Sequence, residues 1–355
     1  MPIHVARDPK GLSLSEHDVA LESHVAREPS RRQRTFDGLF LAMCRVSAWL
    51  SMLVVAAIVI AIGVAALPAM REYGFAFLIG KTWDANRGTF GILPEIWGTL
   101  YTSVLALALA SVLGLSVAIF LSQGFLGGVV QLVLGSFKLA HRPFWTKLPD
   151  RADEVLRQLI DLLAAIPSVV YGLWGIFVVI PSIRPFCQWL HERFGFMALF
   201  DEPFQGPGVL PAVLVLAIMI LPTITALSRE ALSAVPTKLQ MASYGMGATR
   251  WETILSVLIP SAQRGILAAI MLAFGRALGE TMALAMLVGN ANRIDVSLFS
   301  PANTLAALLA NNFPEASPKQ VPVLMYAAVT LLSLTLLVNV FGARLMSRAR
   351  FKEKT

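Results

Sequence analysis

Residues 229–260 read REALSAVPTKLQMASYGMGATRWETILSVLIP and stand between two strongly apolar runs, 209–227 and 266–288. Pro236 suits the first turn of a short helix, where its missing N–H is no loss. Ala242 and Ser243 are small enough for another surface to come close. Gly245 and Gly247 can take the positive φ of a sharp reversal. A second helix from Arg250 then leads back toward the apolar run, and Pro260 is expected to kink it. A helix–turn–helix outside an apolar layer, and tied to that layer at both ends, is a docking element.

Composition says what the layer is. Of the 355 residues, 56% are apolar and 14% charged, whereas soluble domains carry about 25% charged residues. Much of the surface must therefore face lipid. A helix needs about 20 apolar residues to cross the hydrocarbon, and no backbone group can stay unpaired there. Five runs reach that length, 46–67, 100–121, 159–180, 209–227 and 266–288, and a sixth, 323–341, is slightly shorter. The alternation of barrel strands is absent. The expectation is an all-α polytopic membrane protein of six spans, with a membrane domain over 46–343. The first run is too long, and its polar leader too extended, for a cleaved signal peptide.

Lys and Arg are spread unevenly over the alternate sides. The two ends and the segments 122–158 and 228–265 hold 21 of the 29, the three other loops hold seven, and Arg276 lies inside the fifth run. Positive residues mark the cytoplasmic side, so both termini are expected there. Residues 1–45 then read as a flexible basic cytoplasmic tail, 122–158 as a cytoplasmic insertion and 344–355 as a second basic tail. The first part of the insertion, 125–139, is apolar with glycines and suits a re-entrant or interfacial helix. Trp83, Trp97 and Tyr101 read as an interfacial belt. Cys44 and Cys187 fall on opposite sides, which argues against a disulfide, and no metal-ligand spacing is present. Asp161, near the inner end of the third run, reads as an interface group.

Arg276 lies about ten residues inside its run, hence about 15 Å deep at ~1.5 Å per residue. Glu280 follows one turn later on the same face. Gly275 and Gly279 form a Gly-x-x-x-Gly ledge for close helix contact. A charge at that depth costs at least ~2.5 kcal/mol, so it faces a partner or a watery path. Two readings stand level: an internal ion pair bracing the helices, or a guanidinium that receives an oxyanion. No phosphate loop is available for ATP. The nearest approach, Gly80-Lys81-Thr82, has Phe75 where the motif needs glycine. The chain is expected to be no enzyme, with no catalytic residue and no cofactor of its own.

The stretch 241–260 resembles the EAA loop of ABC-importer permeases, in which Glu-Ala-Ala is followed at fixed spacing by Gly and by Ile-x-Leu-Pro. Ala242, Gly247 and Pro260 match in identity, while Met241 stands at the acidic position and Ser243 at the second alanine. GRALGETMALAMLVGN at 275–290, AAIPSVVYGLWG at 164–175 and the stretch 91–100 are similar to the PstC-type permease family of phosphate-specific ABC importers. That resemblance, over roughly residues 45–345, implies the type I importer permease fold and an inner-membrane location. It implies that Met241, Ala242, Ser243, Gly247 and Pro260 couple to an ATPase, with 229–260 as the coupling loop. Arg276, Glu280 and Thr281 would line the phosphate path. It further implies a PstA-type permease partner, a PstB-type ATPase dimer carrying ATP and magnesium, a periplasmic PstS-type binding protein, and no nucleic acid. A permease for sulfate or molybdate is the rival within the class. A secondary transporter working without ATP is the rival outside it, and calls for inverted repeats and broken helices, neither of which is read in the sequence.

Overall fold

The computed structural model describes residues 31–84, 87–125 and 148–349. The expected outer parts of both tails (1–30 and 350–355) and nearly all of the interfacial helix expected at 125–139 lie outside the described residues. The chain divides into two compact units, 1–61 and 62–355.

Helix α1 (Arg31–Tyr73) begins 15 residues before the apolar run does. The tail expected over 1–45 is therefore helical from Arg31. Once the apolar run is helical, each added residue brings a hydrogen bond without a new nucleus. Within the first unit, every side chain from Arg32 to Ala61 is exposed. Its apolar stretch from Val46 onward thus has the surface of a lipid-facing helix.

The second unit continues with α2 (Ala76–Ile79) and a short antiparallel hairpin, β1 (Trp83–Asp84) and β2 (Thr89–Phe90). Then come α3 (Leu93–Ser122), α4 (Leu148–Ala165), α5 (Ser168–Phe194), α6 (Val209–Ser233) and α7 (Thr237–Gly245). Last are α8 (Arg250–Leu278), α9 (Met282–Leu287), α10 (Leu305–Asn312) and α11 (Val321–Ala349). Helices α1, α3, α5, α6, α8 and α11 are long and apolar enough to cross a membrane.

Helix α6 is the centre of the second unit: 67% of its apolar window is buried, against 28% or less in the other five. Ala106 and Ala110 of α3, Ala273 and Ala277 of α8, and Leu284 and Leu287 of α9 share one core with it. Small residues at these contacts let helices approach without a hydrophobic drive from lipid. A second core joins Ala66 and Ala69 at the end of α1 to Leu305, Leu308 and Val323, with Phe77 stacked on Tyr326 at 4.5 Å. A third, at the other end, joins Ala118 and Leu232 to Ile254 and Leu258.

Two spans differ from their expected limits. The run 159–180 is not one helix: α4 ends at Ala165, Pro167 takes an extended ψ of 140°, and the span is α5. A residue before proline is pushed out of the helical region, which stops α4 at Ile166. Residues 159–165 belong instead to a helix that exposes Glu154, Arg157 and Asp161. The run 266–288 is likewise divided. Helix α8 ends at Leu278, and α9 restarts after Gly279-Glu280-Thr281. Glycine inside a helix costs about 1 kcal/mol relative to alanine, and here the helix stops at it.

Two other prolines widen a helix rather than end it. Five-residue π turns, Gly175–Val179 and Ile254–Leu258, directly precede Ile180-Pro181 and Ile259-Pro260. A proline ring collides with the carbonyl four residues back. A π turn opens that step, and Ile180 and Ile259 reach back five residues, to the Gly175 and Ile254 oxygens. The kink expected at Pro260 takes this form. Pro222 sits inside α6 without a break.

The extended segment between α9 and α10 lies against the start of α3. A β-carbon on Gly98 would overlap the Asn303 carbonyl oxygen, and Thr99 Oγ1 accepts from the Leu305 amide at 2.9 Å. Gly98→Ala should therefore cost about 1–3 kcal/mol, as overpacking does. A lowered midpoint in thermal unfolding of the detergent-solubilised protein checks this, and an unchanged midpoint refutes it.

Candidate functional site

Arg276 occupies the last turn of α8, where the carbonyl end of a helix favours a cation. Its Nη1 donates to Thr223 Oγ1 of α6 at 3.4 Å. Thr335 and Asn339, one turn apart on α11, close the other side. With Leu272 and Gly275 these residues line a cavity of about 540 Å³. Gly275 permits the approach of α11: a β-carbon there would meet Asn339 Oδ1 at 3.3 Å.

The backbone just beyond is irregular. The Glu280 amide donates weakly to the Ala277 oxygen at 3.4 Å, and Thr281 Oγ1 donates to the Gly279 oxygen at 3.1 Å. Glu280 and Thr281 are half-buried, and Arg276 is exposed. The expected turn-apart geometry of Arg276 and Glu280 is not formed, because the helix ends between them. Among the described residues no ion pair joins Arg276 to Glu280. For the same reason Gly275 and Gly279 make no common ledge. A β-carbon on Gly275 would meet Asn339, whereas Gly279 lies past the helix end. Sequence reasoning missed Thr223, Thr335 and Asn339. The available signal was an amide and hydroxyls within apolar runs, which lipid does not favour.

The segment 237–260 forms the expected helix–turn–helix. Helix α7 closes with the Met246 and Ala248 amides donating to the Ala242 and Ser243 oxygens, and Gly247 carries a φ of +89°. Gly245, expected to share that reversal, is instead the last residue of α7 and has no positive φ. Thr249 caps α8 through a reciprocal box with Glu252. Ser243 is not on the surface. Its Oγ lies 2.9 Å from Thr253 Oγ1, both buried, and so clamps α7 to the first turn of α8. Met241, Ala242, Met246 and Trp251 remain exposed as an apolar patch, while Pro260 follows the π turn.

At the opposite end, Trp97 Nε1 donates to the Asp295 oxygen at 2.9 Å and Tyr101 Oη to the Val296 oxygen at 2.6 Å. These two rings, expected as a belt, hold the 289–304 segment. Arg293 joins Glu202 and Asp295 there, each at 2.7 Å. Partial burial works against the Asp295 carboxylate, yet the Ser297 amide, Ser300, Arg293 and the Val296 amide outweigh it and hold it below the usual range.

Residues 132–351 match the family described as binding-protein-dependent transport system inner membrane component. The chain is 38% identical over 291 residues to the phosphate transport system permease protein PstC of Mesorhizobium japonicum, covering 81% of this chain and 82% of that one. It is 36% identical over 320 residues to PstC of Pasteurella multocida, covering 89% and 93%. A chain of a bacterial alginate ABC transporter, solved in complex with an alginate-pentasaccharide-bound periplasmic protein, superposes with a TM-score of 0.57 over 90% of this chain and 98% of that one. At 12% identity this is a likeness of fold.

Ser243→Val should leave the Thr253 hydroxyl buried without its partner, at about 1–3 kcal/mol. Faster amide hydrogen exchange confined to residues 243–253 is the expected outcome, and unchanged exchange rules the clamp out.

Proposed function

We propose, because this chain belongs to the binding-protein-dependent transport system inner membrane component family, that it is the permease subunit of an ATP-driven importer of inorganic phosphate. The family and the six apolar helices make it a multi-pass inner-membrane protein with an ABC-importer permease fold. The observation that carries the reading is the guanidinium of Arg276, set with Thr223, Thr335 and Asn339 around one cavity beside a break in a span. Irregular backbone at membrane depth is tolerated where it is buried in protein or lines a watery path. Guanidinium suits the geometry of a tetrahedral oxyanion. The names of the relatives supply the choice of phosphate over sulfate or molybdate.

In this reading both termini face the cytoplasm, which is supported by 21 basic residues on that side against seven. The exposed patch of Met241, Ala242, Met246 and Trp251 rests on an ATPase subunit of the PstB type, two copies of which bind and hydrolyse ATP with magnesium. Gly247 and the π turn before Pro260 pass the motion into α8. With Met241 at the position of the family's acid, that contact is apolar. A PstA-type permease covers the strip on which Arg276 and Asn339 are exposed, and a PstS-type protein delivers phosphate from outside. Arg276, Glu280 and Thr281 line the path between the two permeases, and this chain contributes no catalytic group.

Arg276→Gln in the complete complex should lower phosphate uptake by roughly tenfold or more, the weight of a hydrogen bond to a charged group, with the subunits still co-purifying. Radiolabelled phosphate uptake into proteoliposomes with ATP inside reads this out, and normal uptake by the assembled variant removes Arg276 from the path. In the same vesicles, stimulation of ATP hydrolysis by sulfate rather than phosphate favours the rival oxyanion. Uptake without any ATPase subunit favours a secondary transporter.

A further inference from the structure

Thr335 lines the Arg276 cavity, and its hydroxyl proton is already engaged: Oγ1 donates to the Leu331 oxygen at 2.8 Å. A threonine hydroxyl has one proton and two acceptor lone pairs. What Thr335 offers the cavity is therefore an acceptor, and turning its proton inward breaks the bond to Leu331. The other lining groups do not discriminate in this way. Arg276 donates to any tetrahedral oxyanion. Thr223 Oγ1 accepts from Arg276 and has its own proton to donate to any oxyanion. The Asn339 amide can present either its donor or its acceptor end.

We propose that Thr335 selects oxyanions that carry a proton. This rests on the reading of the cavity as the anion's path. Phosphate near neutral pH keeps at least one P–O–H, and arsenate keeps the equivalent As–O–H. Either can donate to Thr335 Oγ1 while its charged oxygens face Arg276. Sulfate has no proton to give. It must place a charged oxygen against the lone pairs of Thr335 or displace the proton from Leu331. The guanidinium supplies attraction and the neighbouring acceptor supplies the distinction, so specificity arises partly by penalising the wrong ligand.

The test is competition for radiolabelled inorganic phosphate bound to the complete detergent-purified transporter, without the periplasmic protein and its own selectivity. Arsenate and sulfate are the competitors. The wild-type complex should prefer arsenate to sulfate by roughly tenfold or more, the weight of a hydrogen bond to a charged ligand. Thr335→Val keeps the shape and removes the acceptor, and should shrink that preference to within about twofold. Thr335→Ser should restore it. A preference unchanged in the assembled Thr335→Val complex overturns the proposal, as does a Thr335→Ser complex that behaves like the valine variant. Arg276→Gln is the control for the underlying reading and should abolish binding of all three anions. Phosphate bound normally by that variant overturns the path itself, an outcome distinct from failure at Thr335 alone.

Discussion

Hydrocarbon offers a hydrogen bond to nothing, so every backbone group and charge within the bilayer needs protein or trapped water beside it. The second unit departs from a plain helical bundle where α8 stops at Leu278 and α9 begins at Met282. Much of the surrounding packing bears on that interruption. Helix α9 is buried in the same core as α6, so the short restart is held by protein. The cavity lined by α6, α8 and α11 receives the Arg276 side chain just before the stop. Gly275 has no side chain, which lets α11 bring the Asn339 amide to this point. An uninterrupted fifth span would leave Arg276 as a charge on a lipid-embedded rod. Here it shares a cavity with Thr223, Thr335 and Asn339.

The same helix joins the exposed patch within 241–251 to the Arg276 cavity. From Arg250, just after its cap, to Leu278, α8 comprises 29 residues, roughly 43 Å at 1.5 Å per residue. Its first turn is clamped to α7 by Ser243 and Thr253, and its last turn carries Arg276. The π turn before Pro260 lies between them and keeps the chain of hydrogen bonds running past a residue that cannot donate one. One helical element thus reaches from the exposed apolar patch to the guanidinium. A displacement at one end has a continuous structure through which to act at the other.

Much of the architecture was legible in the sequence because lipid imposes so blunt a demand. Six long apolar runs and the glycine reversal at Gly247 follow from composition and spacing alone. Where the reading failed, a local rule competed with hydropathy. The run 159–180 was read by its apolarity, but Pro167 governs the backbone there and moves the span to α5. The run 266–288 was read as one rod, although Gly279 stands beside a charged Glu280 and the helix ends at it. Expected pairings of Arg276 with Glu280, and of Gly275 with Gly279, assumed a helical register that the break abolishes. By its size alone Ser243 suits an outer contact. Its burial depends on Thr253, ten residues later, a tertiary fact with no local signature. Thr223, Thr335 and Asn339 come from two other helices, and only folding brings them to one cavity.

The chain carries two exposed surfaces of opposite chemistry. Residues 46–61 of α1 are exposed throughout and apolar apart from Ser47 and Ser51, whose Oγ donates back to the Ser47 oxygen, a surface that lipid satisfies with no partner. Arg276 and Asn339, in contrast, are exposed on apolar spans of the second unit, and a charge there costs at least ~2.5 kcal/mol against hydrocarbon. Lipid cannot satisfy both. The polar strip needs water or another protein to face, and water at membrane depth needs walls. Thr223, Gly275, Thr335 and Asn339 build part of such a wall. In the proposed reading the remainder comes from a second permease subunit.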